Sequence, residues 1–153
     1  MRQQGAGRIV NVSSVLGLLP ARYLGIYAAT KHPIEGYSAS LDHEVRRFGI
    51  RVSVIELGFM RTRLDRNGQT AGHPLPVYAS ERDRASEAVR VQIANGDDLA
   101  IVASRVLTAL TGKSPRLRYP AGREAKFLSL LRKFAPSRFL DQGLRKQFGL
   151  KTV

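Results

Sequence analysis

The chain has 153 residues, of which 43% are hydrophobic, and this suits one globular domain with a core of its own and excludes a disordered chain. It contains no cysteine, so disulfide bonds, thiolate metal ligands and thiol nucleophiles are excluded, and a cytoplasmic location is expected. No apolar run approaches the roughly 20 residues of a membrane-spanning helix, and the N-terminus has no apolar core of signal-peptide length.

Positive charge is concentrated in the last third of the chain. Residues 113–153 carry 11 lysines and arginines against two acids, a net +9, whereas the first 112 residues carry 14 against 10, a net +4, which together give the total of +13. We divide the chain into an α/β region over residues 1–120 and basic amphipathic helices over residues 121–153. The basic helices could meet phosphates, an anionic membrane surface or an acidic protein, but a basic face that simply meets solvent explains the pattern equally well.

A short strand, a long helix and a second strand are predicted in the first half of the chain. Residues 8–14, RIVNVSS, form an apolar, β-branched run that ends in hydroxyl side chains, as expected of a buried strand in a parallel sheet. Residues 26–48 predict a helix with one apolar stripe, and Gly49 follows where a left-handed cap belongs. Residues 50–56, IRVSVIE, predict the second strand, so the three elements form a right-handed βαβ unit. The stripe consists of Ile34, Tyr37, Leu41, Val45 and Phe48.

The second half of the chain predicts further helices and one short strand. Either Asp97 or Asp98 caps the start of a helix that Gly112 stops. The expected elements, in chain order, are a loop or lid over residues 65–80, a helix over 81–93, a helix from 97 or 98 to 111, an edge strand over 115–120, an amphipathic helix over 124–134 and a basic helix over 136–150.

Three polar residues suggest proton-transfer chemistry. Tyr27 and Lys31 stand four residues apart on the predicted helix, so their side chains are neighbours on one face. A lysine ammonium within about 4–6 Å of a phenol lowers the pKa of the phenol and makes it usable in general acid–base catalysis. Ser14 ends a strand, where ligands of parallel α/β sheets gather, and its hydroxyl could hold a substrate oxygen. The spacing alone is weak, because an ordinary Tyr–Lys contact on a helix surface explains it more often.

The surrounding segments strengthen this interpretation. The stretches GRIVNVSSVLG, then YAATK 13 residues after Ser14, then EGYSASLDHEVRRFGIRVSVIELGFMRT resemble the catalytic half of the short-chain dehydrogenase/reductase family, over Gly7 to Thr62. The resemblance implies the C-terminal half of a Rossmann-type doubly wound parallel sheet, with residues 1–120 as its catalytic region. The dinucleotide-binding half, with its Gly-rich turn, is missing from the sequence, so we expect a truncated chain with little activity alone.

The same resemblance implies hydride transfer between NAD or NADP and a carbonyl or a secondary alcohol. Tyr27 would be the general acid and base, Lys31 would hold the nicotinamide ribose hydroxyls and assist Tyr27, and Ser14 would orient the substrate oxygen. The substrate would be a small apolar ketone or alcohol, such as a steroid or a retinoid, and a full-length form could be a homo-oligomer.

The turn after the second strand would complete the cofactor site. Gly58 would let the backbone approach the nicotinamide, and the Met60 backbone and the Thr62 hydroxyl would lie near its carboxamide. Thr62 has a simpler explanation as the cap of the next segment. Two departures from the family pattern are Leu57, where proline is usual, and Pro33, which lies inside the predicted helix beyond Lys31 and could kink it.

Other partners and functions are less well supported by the sequence. The three histidines have no metal-ligand spacing, so no metal site is predicted, and the aromatic residues do not alternate with basic ones as in a single-strand nucleic-acid binder. The alternative function is a non-catalytic fragment whose basic C-terminal helices bind an anionic membrane surface or a protein partner. Such binding would make the location peripheral to a membrane.

Overall fold

A three-stranded parallel sheet lies at the centre of the structure, a computed structural model that describes residues 1–64 and 71–147. The strands are β1 (Gly7–Ser14), β2 (Ile50–Leu57) and β3 (Arg118–Ala121), in the order β1-β2-β3. Each residue of β1 lies opposite one of β2, so that the two strands end together, and the second half of β2 pairs with β3. This arrangement confirms the predicted α/β class and the βαβ unit.

The described residues form five α-helices besides the sheet. They are α1 (Gly25–Val45), α2 (Ala79–Ala94), α3 (Leu99–Thr111), α4 (Arg123–Phe134) and α5 (Ser137–Gln147). Short 3-10 turns cover Val15–Gly17, Arg46–Phe48 and Pro76–Tyr78. The predicted loop therefore ends earlier than expected, and its residues 65–70 lie outside the described residues, as do residues 148–150 of the last predicted helix.

Helices cover both faces of the sheet. Side chains alternate between faces along a strand, so Ile55 and Leu57 of β2 face one way and Glu56 faces the other. On the first side, Ile55 belongs to a buried apolar cluster with residues of α3 and β3. On the second side, Glu56 meets Ser129 of α4 and the Arg118 side chain. Both faces are thus occupied at the strand ends, as a doubly wound sheet requires.

The buried face of α1 differs from the predicted apolar stripe. Tyr37 of the stripe is 62% exposed, and the buried residues of α1 are Ala28, Glu35, Ser38 and Asp42. The polar ones are individually bonded: Ser38 accepts a hydrogen bond from Asn11 of β1 at 2.9 Å, and Asp42 accepts one from the Val52 amide at 2.9 Å. Because hydrogen bonds replace apolar packing here, a hydrophobic pattern could not identify this face.

Two predicted caps can be compared directly with the structure. Gly49 adopts the left-handed conformation with φ of 71°, and a side chain there would overlap the Gly5 carbonyl oxygen, which confirms the prediction. Asp98, and not Asp97, caps α3, since its carboxylate accepts the Ala100 amide at 2.8 Å. Asp97 instead accepts the Arg123 amide at 2.9 Å, at the start of α4.

The strand β3 is shorter and later than predicted, although it is an edge strand of the described sheet. It starts at Arg118, while Leu117 and Arg116 contact β2 through their carbonyl groups. None of the described helices is both long and apolar enough to cross a membrane. The division of the chain at residues 120 and 121 stays a prediction.

Candidate active site at the strand ends

The carboxyl ends of β1 and β2 lie side by side, with Ser14 opposite Leu57. The Ser14 side chain is buried, and its hydroxyl donates a hydrogen bond to the Leu57 carbonyl oxygen at 3.3 Å. The same Oγ atom accepts the Leu16 amide at 3.2 Å, which caps the 3-10 turn that follows β1. Ser14 therefore joins the two strand ends to the loop that leaves them.

The first turns of α1 place Tyr27 and Lys31 together near the end of β1. The Lys31 Nζ atom lies 5.6 Å from the centroid of the Tyr27 ring and donates a hydrogen bond to the Val12 carbonyl oxygen at 3.3 Å. Both side chains are half-buried. The lysine ammonium thus contacts the aromatic ring and the backbone two residues before Ser14. These three predicted residues belong to one edge of the sheet.

The turn after β2 is closed by α4. The Gly58 amide donates to the Ala121 carbonyl oxygen at 3.3 Å, and a Cβ atom on Gly58 would lie 3.3 Å from the Ala125 nitrogen. The Phe59 amide donates to the Glu124 carboxylate at 3.4 Å. The structure therefore supplies a reason for glycine at position 58 that sequence reasoning missed, namely the close approach of α4.

Met60 and Thr62 have different surroundings. Met60 is buried in the apolar cluster, and its backbone forms an isolated parallel bridge with Asp97. Thr62 is exposed, and its Oγ1 atom accepts the Leu64 amide at 3.3 Å. The segment that Thr62 was expected to cap includes residues 65–70, which lie outside the described residues, so the cap stays a prediction. A cofactor role for the Thr62 hydroxyl stays a prediction.

The loop between Ser14 and α1 is attached to α2 and to α4. Arg22 forms an ion pair with Glu81, and the Tyr23 hydroxyl donates to the same carboxylate at 3.1 Å. Tyr23 has a positive φ of 58°, which is strained for a bulky residue. The Arg132 side chain of α4 donates to the Leu18 carbonyl oxygen at 3.3 Å. These contacts place the start of α2 and the end of α4 beside the strand-end site.

A buried polar network next to this site was not predicted. Glu35 of α1 and Glu56 of β2 are 5% and 0% exposed, and both contact the Nε atom of Arg118, at 3.0 and 3.3 Å. The second oxygen of Glu56 accepts the Ser129 hydroxyl at 2.6 Å. Burial raises the pKa of Glu56, the Ser129 hydrogen bond lowers it, and the neighbouring Glu35 carboxylate raises it again. A carboxylate inside a buried β-branched strand was the one sequence feature that could have suggested the network.

The donors at the strand ends suit an oxygen-bearing organic ligand. Two hydroxyls and an ammonium can hold or move protons on substrate or ribose oxygens. Among residues 1–64 and 71–147, no group of three or more aspartates, glutamates or histidines is arranged to hold a metal ion.

Sequence comparisons give these residues a context. A family model described as short chain dehydrogenase matches residues 1–71. Mouse 17-beta-hydroxysteroid dehydrogenase type 6 is 32% identical over 152 residues, covering 91% of this chain and 48% of that protein. Human retinol dehydrogenase 5 is 34% identical over 154 residues, with the same coverages of 91% and 48%. The chain spans about half the length of the curated relatives it matches.

Structure comparisons agree with the sequence matches. A short-chain dehydrogenase from Streptomyces avermitilis superposes with a TM-score of 0.68 and 29% identity, covering 99% of this chain and 54% of that one. A second structure, a short chain dehydrogenase from Burkholderia cenocepacia in complex with NADP, has a TM-score of 0.66 at 18% identity, which is a likeness of fold. The polar residues at the strand ends therefore lie within a recurrent architecture.

Proposed function

The chain belongs to the short-chain dehydrogenase/reductase family, and we propose that its strand-end site is the catalytic centre of an oxidoreductase that interconverts a carbonyl and a secondary alcohol. One observation carries the proposal: the Lys31 ammonium contacts both the Tyr27 ring and the carbonyl oxygen of Val12, two residues before the buried Ser14 in β1. This supports a site in which a phenol, a cation and a second hydroxyl act together at the edge of the sheet where ligands of such folds bind.

The proposed residues divide the reaction between them. Bound NAD or NADP supplies or accepts the hydride. In the reducing direction the Tyr27 hydroxyl gives its proton to the carbonyl oxygen, and in the oxidising direction the phenolate takes the proton from the alcohol. Ser14 donates a hydrogen bond to the same substrate oxygen, for which it exchanges its present acceptor, the Leu57 carbonyl. Lys31 stabilises the negative charge that remains on the phenol oxygen after the proton leaves.

The donors near the turn after β2 fit the nicotinamide end of such a cofactor. Lys31 and Tyr27 would hold the ribose hydroxyls, and Gly58, Met60 and Thr62 would lie near the carboxamide. Two bonds support the role of the Met60 backbone: Asp97 donates to the Phe59 carbonyl and accepts from the Arg61 amide, both at 3.0 Å. Backbone groups alternate sides in an extended segment, so the Met60 amide faces away from Asp97.

Apolar surface on both sides of the site favours an apolar substrate. Ile26, just before Tyr27, is 84% exposed, and Leu75, Val77 and Tyr78 are exposed before α2. The ion pair between Arg22 and Glu81 holds these two segments near each other. A small apolar ketone or secondary alcohol fits this surface, and the names of the relatives, a hydroxysteroid and a retinol dehydrogenase, point to the same substrate class.

The test requires a site with the whole cofactor pocket. Residues 1–153 are joined to the part of the Streptomyces avermitilis dehydrogenase that they do not match; we call this fusion the hybrid. Fluorescence of NADH and NADPH first establishes that the hybrid binds cofactor. Tyr27→Phe should then lower the turnover of retinal or a ketosteroid at least about 100-fold, the typical contribution of general acid–base catalysis. The matched control is Tyr37→Phe, an exposed tyrosine on the same helix.

Two outcomes would remove the proposal. Turnover that survives Tyr27→Phe would exclude this tyrosine as the acid and base, and equal losses in both tyrosine variants would indicate a structural effect on α1. Residues 1–153 alone are expected to bind cofactor weakly and to turn over little, because no Gly-rich turn after a strand is present in their sequence to grip the pyrophosphate.

A second candidate function rests on the outer face of α4. Phe127, Leu130 and Phe134 are 62%, 60% and 70% exposed and lie on one side of the helix, as their spacing of three and four residues requires. Exposed cations share that side: Arg123, Lys126 and Lys133. The acid of α4, Glu124, is turned toward the Phe59 amide. An apolar row bordered by cations fits an anionic lipid surface, with the rings at the acyl boundary and the cations at the phosphates.

A groove beside α4 adds to this surface. It has a volume of about 390 Å³ and is lined on one side by Arg105 and Ser104 of α3 and on the other by Arg123 and Lys126. We expect residues 1–153 to bind vesicles that contain phosphatidylserine, to bind phosphatidylcholine vesicles weakly, and to be released by salt. Phe127→Ser with Phe134→Ser should abolish binding, whereas Val91→Ser, an exposed apolar residue of α2, should not. Equal binding to both vesicle types would contradict this function.

A further inference from the structure

The 3-10 turn after Ser14 packs on α1 without space for one methyl group. A Cβ atom on Gly17 would lie 2.7 Å from the Ser13 hydroxyl, 3.0 Å from the Lys31 carbonyl oxygen and 3.2 Å from the Glu35 Cγ atom. Contacts below about 3.4 Å force a neighbour to move, so this turn and the Lys31–Glu35 section of α1 are in direct, tight contact. A shift of the Glu35 side chain therefore reaches the turn.

The Glu35 side chain is fixed from its other end. Its Oε2 atom accepts the Arg118 Nε–H of β3 at 3.0 Å. Arg118 also lies 3.3 Å from Glu56 of β2, which accepts the hydroxyl of Ser129 on α4. One guanidinium thus links a helix, two strands and a second helix. Burial of the two carboxylates costs desolvation energy that offsets their attraction to the partly exposed guanidinium, so these pairs contribute little net stability; in some proteins such groups instead fix one geometry among several.

One hydrogen bond and one turn of α1 connect this network to the reacting groups. The Gly17 turn is capped by Ser14, whose Oγ atom accepts the Leu16 amide at 3.2 Å, so movement of the turn redirects the Ser14 hydroxyl. Lys31 stands one helical turn before Glu35, so movement of this section of α1 displaces the ammonium from the Tyr27 ring. The distance between the Ser14 hydroxyl and the Tyr27–Lys31 pair is thereby linked to the position of Glu35.

We propose that Glu35, held by Arg118, is a positioning residue that sets the relative placement of the Ser14 turn and the Tyr27–Lys31 pair. The structural part of this proposal concerns this chain alone, and the catalytic part rests on the proposed function. Glu35 touches neither substrate nor cofactor in this role; it acts through Gly17 and through the backbone of Lys31.

The structural part is tested in residues 1–153 by nuclear magnetic resonance. Glu35→Gln keeps the shape of the side chain and removes its charge, and Arg118→Lys keeps the charge and removes the Nε donor. Because Arg118 is 43% exposed, the protein with Arg118→Lys should fold even if the protein with Glu35→Gln does not. Both should shift the backbone amide resonances of Leu16 and Lys31. The matched control is Asp42→Asn, which removes another buried, ion-paired carboxylate two turns further along α1.

The catalytic part is tested in the hybrid. Glu35→Gln should lower kcat about tenfold and leave the KM of the cofactor unchanged, whereas Asp42→Asn should lower stability and leave kcat unchanged. The proposal is overturned if the Leu16 amide resonance does not shift in either Glu35→Gln or Arg118→Lys. It is also overturned if Asp42→Asn shifts that resonance by the same amount. Absence of turnover in the unaltered hybrid would refute the proposed function, while the amide shifts would still decide the coupling.

Discussion

Two buried carboxylates of this chain have pKa values shifted in opposite directions. Burial raises the pKa of Asp42, but hydrogen bonds from Arg51, from Arg46 and from the Val52 amide together hold it well below the usual range. Glu56 has the Ser129 hydroxyl and a shared guanidinium as partners and a second carboxylate nearby, so burial prevails and its pKa is raised. The number of donors to the charged form decides the direction.

Asp42 is expected to stabilise the protein above its ordinary pKa of 3.8 and to lose that contribution as the pH falls below it, because the folded state binds the proton more weakly than the unfolded state. Asp42→Asn should therefore lower the free energy of unfolding at neutral pH by about 1–3 kcal/mol, the cost of weakened buried hydrogen bonds. Urea titrations at neutral and acidic pH measure this. The difference in the free energy of unfolding between the unaltered protein and Asp42→Asn should shrink in acid. A difference that does not change with pH would contradict the lowered pKa of Asp42.

Glu56 is expected to behave in the opposite way. Its pKa in the folded protein is raised above the ordinary value of 4.5, so its contribution is fully present below 4.5 and is lost as the pH rises through the raised value. Glu56→Gln stays uncharged and should become more stable relative to the unaltered protein as the pH rises above the ordinary value of 4.5 and through the raised pKa. Unfolding curves over that range provide the measurement, and Glu87→Gln, an exposed carboxylate on α2, is the control.

At this scale the sequence predicts local pairs and misses distant ones. Tyr27 and Lys31 were identified because a helix makes residues four apart neighbours. Glu35 and Arg118 are 83 residues apart, and nothing local in the sequence indicates that β3 brings the arginine beneath α1. Thr62 shows the converse, since its hydroxyl has a local backbone partner at Leu64 that a cofactor role would have to replace.

The helix α1 shows how far patterns define an element. Its extent and the glycine that ends it follow from the sequence: α1 covers Gly25–Val45, a 3-10 turn continues it over Arg46–Phe48, and the left-handed Gly49 caps that turn. Its buried face does not follow, because Ser38 and Asp42 are buried through bonds to Asn11 and Val52. A polar side chain can be buried when another element supplies its hydrogen-bond partner, and the hydrophobic pattern of one segment contains no information on that partner.

Pro33 lies in the interior of α1, which continues through it without interruption. Proline cannot donate to the carbonyl of Ala29 and crowds that carbonyl, an effect worth about 3 kcal/mol, and it recovers about 1 kcal/mol by restricting the unfolded chain. Pro33→Ala should therefore raise the free energy of unfolding by about 2 kcal/mol. Chemical denaturation is the measurement, with His32→Ala, its exposed neighbour, as a reference. A loss of stability would indicate that the helix requires the proline.

On the scale of the whole molecule, the two long strands of the sheet differ in how much of their edges is hydrogen-bonded to a neighbouring strand. The second half of β2 is paired on both sides, whereas β1 is paired with β2 alone among the described residues, and its Val12 side chain is 45% exposed. An unpaired edge of eight residues can form hydrogen bonds with a further strand, either from the same polypeptide or from a second copy. The family relatives are about twice as long as this chain, and a strand beside β1 is the position where additional sequence would continue the sheet.

Hydrogen exchange can show whether that edge is covered in residues 1–153. Backbone amides alternate sides along a strand, so every second amide of β1 faces β2 and the others face outward. The inward amides should be protected and the outward ones should exchange rapidly, while in β2 protection on both sides is expected over Val54–Leu57, which also pair with β3. In the hybrid the outward amides of β1 should become protected as well. Uniform protection of β1 in residues 1–153 that disappears on dilution would instead mean that two copies pair edge to edge, and size-exclusion chromatography at the same concentrations would then show a dimer.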